Sequence, residues 1–527
     1  MKLINWLKKN PETLIVALIL LVAAFLRLYR IADYMTFLGD EGRDVLVVYN
    51  ILHGHLTLLG PTASVGGFFL GPIYYYFMAP FLWLFNYDPV GPAVMVALIG
   101  ILTVFLIYKV GAEFFNKKTG ILAAFIYSIS PLVIAYSRSS WNPNPLPFFS
   151  LLTLYTLYKA ITKNKLLLFF ITGILFGIDM QLHYLATFLG VIMGVYVLTS
   201  RFFQGTNPTK TITQIFKDYV LIFLGFVVGW SPFLAFEVRH GFLDFKSIFN
   251  FIFKSGETGG NSNFFSIVSD VFFRLFGRLT MAFPPPEQFN WFDKQLLSAW
   301  YFFVLVLAIS SSILIVYNLY KAIKNRDSKF SVYSLLFLWL FFGVLLFGLY
   351  KKSIYDYYFT FMFPLPFFLL SNFLVSVHQV KNKFSIILKL LVIALIFVIS
   401  FLNLQGLPFR YEPNRQLNQM RTIADFVMTK TNAKPFNFAL ISSGNSDYAY
   451  RYFFKVWGHD PVTILNKADD PQRNSVTDQL LVVCESFPCQ PLGNSLWEIA
   501  GFGRADIEGH WKVSVVEVYK LVHYKGK

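Results

Sequence analysis

The sequence is poor in charge and in cysteine. Of its 527 residues 14% are Asp, Glu, Lys or Arg, and two are cysteine, Cys484 and Cys489. No Cys/His spacing suited to zinc occurs, and no GxxxxGK stretch that would cradle a nucleotide phosphate. The two cysteines can form a disulfide if their region is extracytoplasmic, and they can equally stay two reduced, buried thiols. Strand-period alternation is missing, which excludes a membrane β-barrel, and so is any solenoid-type repeat. No Asn-x-Ser/Thr triplet has a non-proline middle residue, which favours a bacterial envelope over a secretory pathway. What the chain has is apolar surface: 56% of it is hydrophobic and 19% aromatic. Many runs reach the ~20 residues that cross a hydrocarbon core.

The formal charge of +16 does not form a basic patch. The lysines stand singly or in small groups between apolar runs, as topology determinants do, so no nucleic-acid partner is expected. The N-terminus, Met1–Lys9 followed by an apolar run, lacks a small-residue cleavage site and reads as leading into an uncleaved first span. The pattern predicts a polytopic α-helical protein with eleven spans, at about 12–30, 90–108, 120–137, 146–160, 166–182, 184–200, 218–237, 298–320, 331–350, 355–377 and 385–404. The apolar stretch Gly71 to Phe85 is short and holds Pro72 and Pro80, so it is re-entrant or interfacial. Charge bias supports that reading. If the stretch does not span, the later inner loops carry fifteen basic residues from Lys109 to Lys383, and the short outer loops carry only Arg138, Lys351 and Lys352. The N-terminus is then cytoplasmic, and residues 31–89 form a large first outer loop. Everything after about 405 also lies outside a cell (inner) membrane. Domains are expected at 1–404, in the membrane, and at 405–527, an extracytoplasmic α/β unit. In that unit Leu417, Met420, Ile423 and Val427 recur at helical spacing, and Phe438–Ile441, Leu480–Cys484 and Val513–Val518 read as strands. A structural or acceptor-docking role suits it better than catalysis.

Just past the first span stands Gly39-Asp40-Glu41-Gly42-Arg43-Asp44. Charge beside a bilayer is costly and marks function by default. Val45, Leu46, Val48, Tyr49 and Leu52 follow with helical spacing, so the carboxylates sit near a helix N-terminus, where the macrodipole favours them. Asp40, Arg43 and Asp44 are three and four apart and share a face. The plainer reading is an N-cap with a surface ion pair, worth ~1 kcal/mol at most, but a cap needs one carboxylate and three are present. The topology brings Arg138, Trp141, Asn142 and Asn144 to the same side, with Asp179, Gln181, His183, Tyr184, Glu237 and the segment Lys351 to Tyr358. Singly, these are more often interfacial anchors. Together they describe an outward-facing polar cavity. A carboxylate beside a cation suits deprotonation of a hydroxyl and departure of an anionic leaving group. Aromatic rings suit sugar faces. Soluble nucleotide sugars are cytoplasmic, so an outer site needs a donor delivered within the membrane, such as a lipid-linked phosphate.

These residues resemble the GT-C glycosyltransferases, in particular the protein O-mannosyltransferase and aminoarabinose-transferase branch (glycosyltransferase family 39-like), over about 10–405. The resemblance rests on Asp40-Glu41 after the first span with Arg43 three past the Asp, and on Gly71-Pro72-Ile73-Tyr74-Tyr75 heading a horizontal outer helix. Ser137-Arg138, His183-Tyr184, and Tyr357-Tyr358 with Pro364 support it. It implies a GT-C bundle and an inverting transfer of one sugar from a polyprenyl-phosphate carrier to an acceptor hydroxyl, with Asp40 as base, Glu41 its neighbour and Arg43 near the donor phosphate. Two positions depart from the pattern. Gly71 stands where relatives often have Lys or His, which leaves phosphate binding to Arg43, Arg138, His183 or Lys351. Asn142 and Asn144 stand in the loop where many relatives have a second carboxylate, and asparagine is a poorer metal ligand, so no metal is expected to be required. Asp44, Tyr74, Asn142, Asn144, Tyr184, Glu237 and Tyr357 are expected to line the sugar and acceptor pocket. The expected partners are the lipid-linked donor, the acceptor (protein, lipid or envelope glycan) and membrane lipids. A secondary transporter would need ionisable groups near the midplane and repeated halves, whereas here the charges cluster at one face. A non-catalytic scaffold would leave the acidic motif purely structural.

Overall fold

The computed structural model describes residues 11–205, 207–260 and 262–526; the expected basic N-terminal segment lies outside the described residues. The membrane part is built from α1 (Pro11–Leu28), α2 (Gly39–Leu52), α3 (Ile73–Leu84), α4 (Val90–Phe114), α5 (Lys117–Ile129), α6 (Leu146–Lys163), α7 (Leu166–Leu182), α8 (Thr187–Gln204), α9 (Pro208–Gly229), α10 (Phe264–Thr280), α11 (Lys294–Asn325), α12 (Phe330–Leu345), α13 (Pro364–His378) and α14 (Ser385–Gln405). Among the described residues seven helices are long and apolar enough to cross a membrane. An eighth arises if Asp356–Met362 and α13, bent by 62°, count as one span. By length and composition that is fewer than the eleven expected. The expected spans at 120–137, 146–160 and 166–182 are helices, but α5 has only 13 residues, α7 has 17, and α6 carries Thr, Tyr and Lys along its length. Helix α5 stops at Ser130 because Pro131 cannot donate into its last turn. Helix α3, the doubtful stretch, has 12 residues and spans about 18 Å, too short for a hydrocarbon core.

The C-terminal part holds α15 (Gln416–Thr431), β1 (Asn437–Ile441), α16 (Tyr448–Val456), β2 (Gln479–Cys484), β3 (Ala505–Val513) and β4 (Val516–His523). Its sheet has the order β1-β2-β4-β3, with β1 parallel to β2 and the other pairs antiparallel. Leu417, Met420, Ile423 and Val427 are buried along one side of α15, as their spacing predicts. The strand expected at Val513–Val518 is instead the end of β3, a turn and the start of β4. Ser514 takes a left-handed conformation (φ 54°) that closes the hairpin. Cys484 and Cys489 form a disulfide. This sheet unit packs on the membrane part through α16 and α2, and Phe37, just before α2, sits against the rings of Tyr452 and Phe453.

Candidate active site

Helix α2 starts at Gly39 after Leu38 turns extended, so the acidic motif occupies its first turn. Glu41 folds back, its Oε2 accepting the Leu38 N–H at 3.0 Å. It is buried, and burial pushes its carboxyl up to about 7. Glu41 therefore caps the helix and does not face the cavity. Asp40 points the other way, with 58% of its side chain exposed and Oδ1 accepting from Arg43 Nη1 at 3.0 Å. Arg43 also donates from Nε and Nη2 to Asp44 Oδ1, at 2.9 and 2.8 Å. Burial works against the charge on Arg43, but Asp44 and Asp40 raise its pKa above the usual guanidinium value. Asp44 is fully buried; burial raises its carboxyl to about 6, with Arg43 opposing. Tyr75 donates to the same Asp44 oxygen at 3.3 Å.

Asp40 and Arg43 open onto a cavity of about 130 Å³ lined also by Ser64, Trp141, Asn142, His183, Tyr184 and Tyr357. Asn142 is held by its Nδ2 bond to the Leu182 carbonyl at 2.7 Å. Trp141 and Tyr357 pack their rings with centroids 4.5 Å apart, and His183 stacks on Tyr184 at 4.7 Å. Burial lowers the His183 imidazole to about 3. Its Nδ1 accepts the Leu185 N–H at 3.3 Å, so the ring is neutral and offers a hydrogen bond rather than a charge.

Other expected residues lie elsewhere. Arg138, expected at the phosphate, is engaged behind the site: Nη1 and Nη2 donate to the carbonyls of Leu26 and Tyr29 at 2.8 and 2.7 Å, and its ring neighbours are Tyr34 and Phe409. Lys351 is exposed and outside the lining, on a segment tied to the Glu257 carbonyl by its backbone N–H. Glu237 is buried and accepts the Asp244 and Phe245 N–H groups at 3.1 and 2.9 Å, as a helix cap. Tyr74 is buried against Ser140 Oγ at 2.7 Å, and Asn144 donates to the Ser139 carbonyl at 2.8 Å. Position 71 is glycine for a steric reason. A Cβ there would lie 2.3 Å from the Cγ of Gln181, whose amide accepts from Ile73 N–H at 3.1 Å and donates to the Gly229 carbonyl at 2.6 Å.

Sequence reasoning missed a second charged cluster. Arg274 and Arg278, one turn apart on α10, converge on Asp356. Arg274 Nη2 meets Oδ1 at 2.6 Å and Arg278 Nε meets Oδ2 at 2.9 Å. They line a cavity of about 910 Å³ together with Tyr136, Glu287, Tyr301 and Tyr357. Tyr357 thus belongs to both cavities. The detectable signal was the Arg-x3-Arg spacing on an amphipathic helix. Among the described residues no group of three or more His, Cys, Asp and Glu side chains is placed to hold a metal ion.

Likeness to solved structures settles the architecture. The structure aligns with that of ArnT from Cupriavidus metallidurans bound to undecaprenyl phosphate at TM-score 0.60, over 96% of this chain and 97% of that one, with 11% identity. The chain has the GT-C fold. It is also similar to the archaeal oligosaccharyltransferase AglB from Archaeoglobus fulgidus, solved with an inhibitory peptide and a dolichol-phosphate (TM-score 0.52, 14% identity, 90% of this chain and 70% of that one). Residues 70–232 match the family described as dolichyl-phosphate-mannose-protein mannosyltransferase. Over 182 residues the GT-C chain is 27% identical to the "Putative mannosyltransferase YkcB" of Bacillus subtilis (strain 168). That alignment covers 34% of this chain and a quarter (25%) of the relative's length.

Proposed function

We propose that this protein is a membrane glycosyltransferase that moves one sugar, with inversion, from a polyprenyl-phosphate donor to an acceptor hydroxyl at the outer membrane face. The observation that carries the reading is the pairing of two unlike clusters across Tyr357: an exposed carboxylate on one side, and on the other two arginines that converge on Asp356, one of them also paired with Asp270. The GT-C fold and the lipid phosphates named with its structural neighbours support it. An apolar cavity of about 430 Å³ between α10, α11 and α12 begins on the helix that bears Arg274 and suits a prenyl chain.

In this reading Asp40 takes the proton from the acceptor hydroxyl as its oxygen attacks the anomeric carbon. The bond from that carbon to the phosphate oxygen breaks, and the electron pair leaves with the phosphate. Arg274 and Arg278 converge on Asp356 and present planar donors that suit a phosphate, so they stabilise the leaving group. Arg43, divided between Asp40 and Asp44, orients the base more than it binds phosphate. The Trp141–Tyr357 pair gives the sugar a face to stack on. The test is mass spectrometry of lipids copurifying with an Asp40→Asn variant, beside an Arg274→Ala/Arg278→Ala double variant. A sugar-bearing polyprenyl phosphate retained by the first and lost from the second is the expected result. Retention by neither, or equal retention by both, removes the donor assignment.

A further inference from the structure

The first turn of α2 is completed by the C-terminal sheet unit. Its Gly39 N–H, the backbone donor immediately before Asp40, gives its hydrogen bond to Asn445 Oδ1 at 2.9 Å, across 406 positions of sequence. Asn445 is held in turn: its Nδ2 donates to both oxygens of Glu485, at 3.1 and 3.0 Å, and its backbone N–H bonds Ser442 Oγ at 3.0 Å. Glu485 accepts the Tyr450 hydroxyl at 2.7 Å. It follows Cys484, so the loop that carries it is closed by the disulfide to Cys489. No slack surrounds this chain of contacts. A Cβ at Gly39 would lie 2.1 Å from Ser446 Oγ, and one at Gly42 would lie 2.3 Å from the backbone nitrogen of Ala449. Helix α2 therefore meets α16 and the loop before it at close range on either side of Asp40.

We infer that Asn445 and Glu485 are positioning residues for the transfer reaction, forming a latch by which the C-terminal unit fixes the helix end that presents Asp40. An unpaired helix N-terminus frays, and a misplacement of about 1 Å at a reacting group costs on the order of 10²-fold in rate. The inference rests on Asp40 being the base, and the test separates the two. The experiment uses the full-length protein in detergent or nanodiscs, with its lipid donor. Asn445→Asp keeps an acceptor for Gly39 N–H but sets a carboxylate against Glu485; kcat is expected to fall ~10-fold to ~100-fold with the donor KM within about 3-fold. Adding Glu485→Gln supplies an amide donor to face the introduced carboxylate, and kcat should return to within about 3-fold of wild type. Hydrogen exchange of a peptide covering 37–44 provides a readout independent of catalysis: it should quicken in Asn445→Asp and recover in the double variant. Unchanged kcat in Asn445→Asp, or a double variant no better than the single while exchange has recovered, overturns the latch. If Asp40→Asn is fully active but exchange follows the latch variants, the base assignment falls and the contact stands as structural only, which also overturns the positioning role.

Discussion

The two charged clusters are built to opposite plans. At the first turn of α2 one arginine is shared by two carboxylates, Asp40 and Asp44. On α10 two arginines converge on Asp356, and Arg274 also reaches Asp270, four positions earlier. The first leaves surplus negative charge on an exposed oxygen of Asp40, whereas the second gathers two half-buried guanidinium groups, with the more exposed Asp270 carboxylate opposing one of them. Crowded carboxylates suit a group that takes up a proton, and adjoining guanidinium forks suit a phosphate. The lesson is that the informative quantity at each cluster is which groups are crowded together rather than its number of salt bridges.

The most severe way to break this comparison is Asp40→Asn. Turnover should fall by ~10²-fold to ~10⁴-fold, while the thermal midpoint scarcely moves, since the exposed pair with Arg43 contributes less than ~1 kcal/mol. An active variant would reduce α2 to a structural element. Next is Arg274→Ala or Arg278→Ala. Each removes a charge-assisted contact worth ~1.5–3 kcal/mol, and the donor KM should rise ~10-fold to ~100-fold with the acceptor KM unmoved; a change confined to the acceptor would move the phosphate elsewhere. Asp356→Asn sharpens the contrast instead. With Asp270 left to oppose only Arg274, the two arginines should hold lipid phosphate longer, seen as more polyprenyl phosphate copurifying and turnover slower by a few-fold. The smallest effect concerns pH. Asp44 sits near 6 against an ordinary value of 3.8, and Glu41 near 7 against 4.5. Between each pair of values the folded state binds the extra proton, so stability falls as pH rises from about 4 to 7 and levels off above. In Asp44→Asn/Glu41→Gln a plot of thermal midpoint against pH should flatten over that window; a slope equal to wild type would show that neither group is perturbed.

The sequence carried the fold class and the first cluster, because both depend on short-range spacing. Apolar run lengths reveal helices, and residues three and four apart share a face, which places Asp40, Arg43 and Asp44 together. Side-chain direction is not a short-range property. Arg138 stands in the right loop for a phosphate ligand, yet its guanidinium turns inward to two carbonyls at the end of the first helix region. Glu237 and Glu41 are carboxylates near the site in sequence, and both satisfy backbone N–H groups. Arg274 and Arg278 show a local spacing that puts them on one helix face, but not the carboxylate they converge on, because Asp356 lies some 80 positions away. The turn at Ser514 is hidden inside a run of valines that reads as one strand. Asn445 and Glu485 carry no local signal, since their importance lies wholly in what they touch on α2.

The bond from Gly39 to Asn445 also orders events in time. A contact between positions 39 and 445 spans 406 positions, so it closes only after that length of chain has been made and has packed back onto α2. Contacts of such long range form late in folding. Until then the first turn of α2 has its charged motif but not the partner that fixes its first backbone donor.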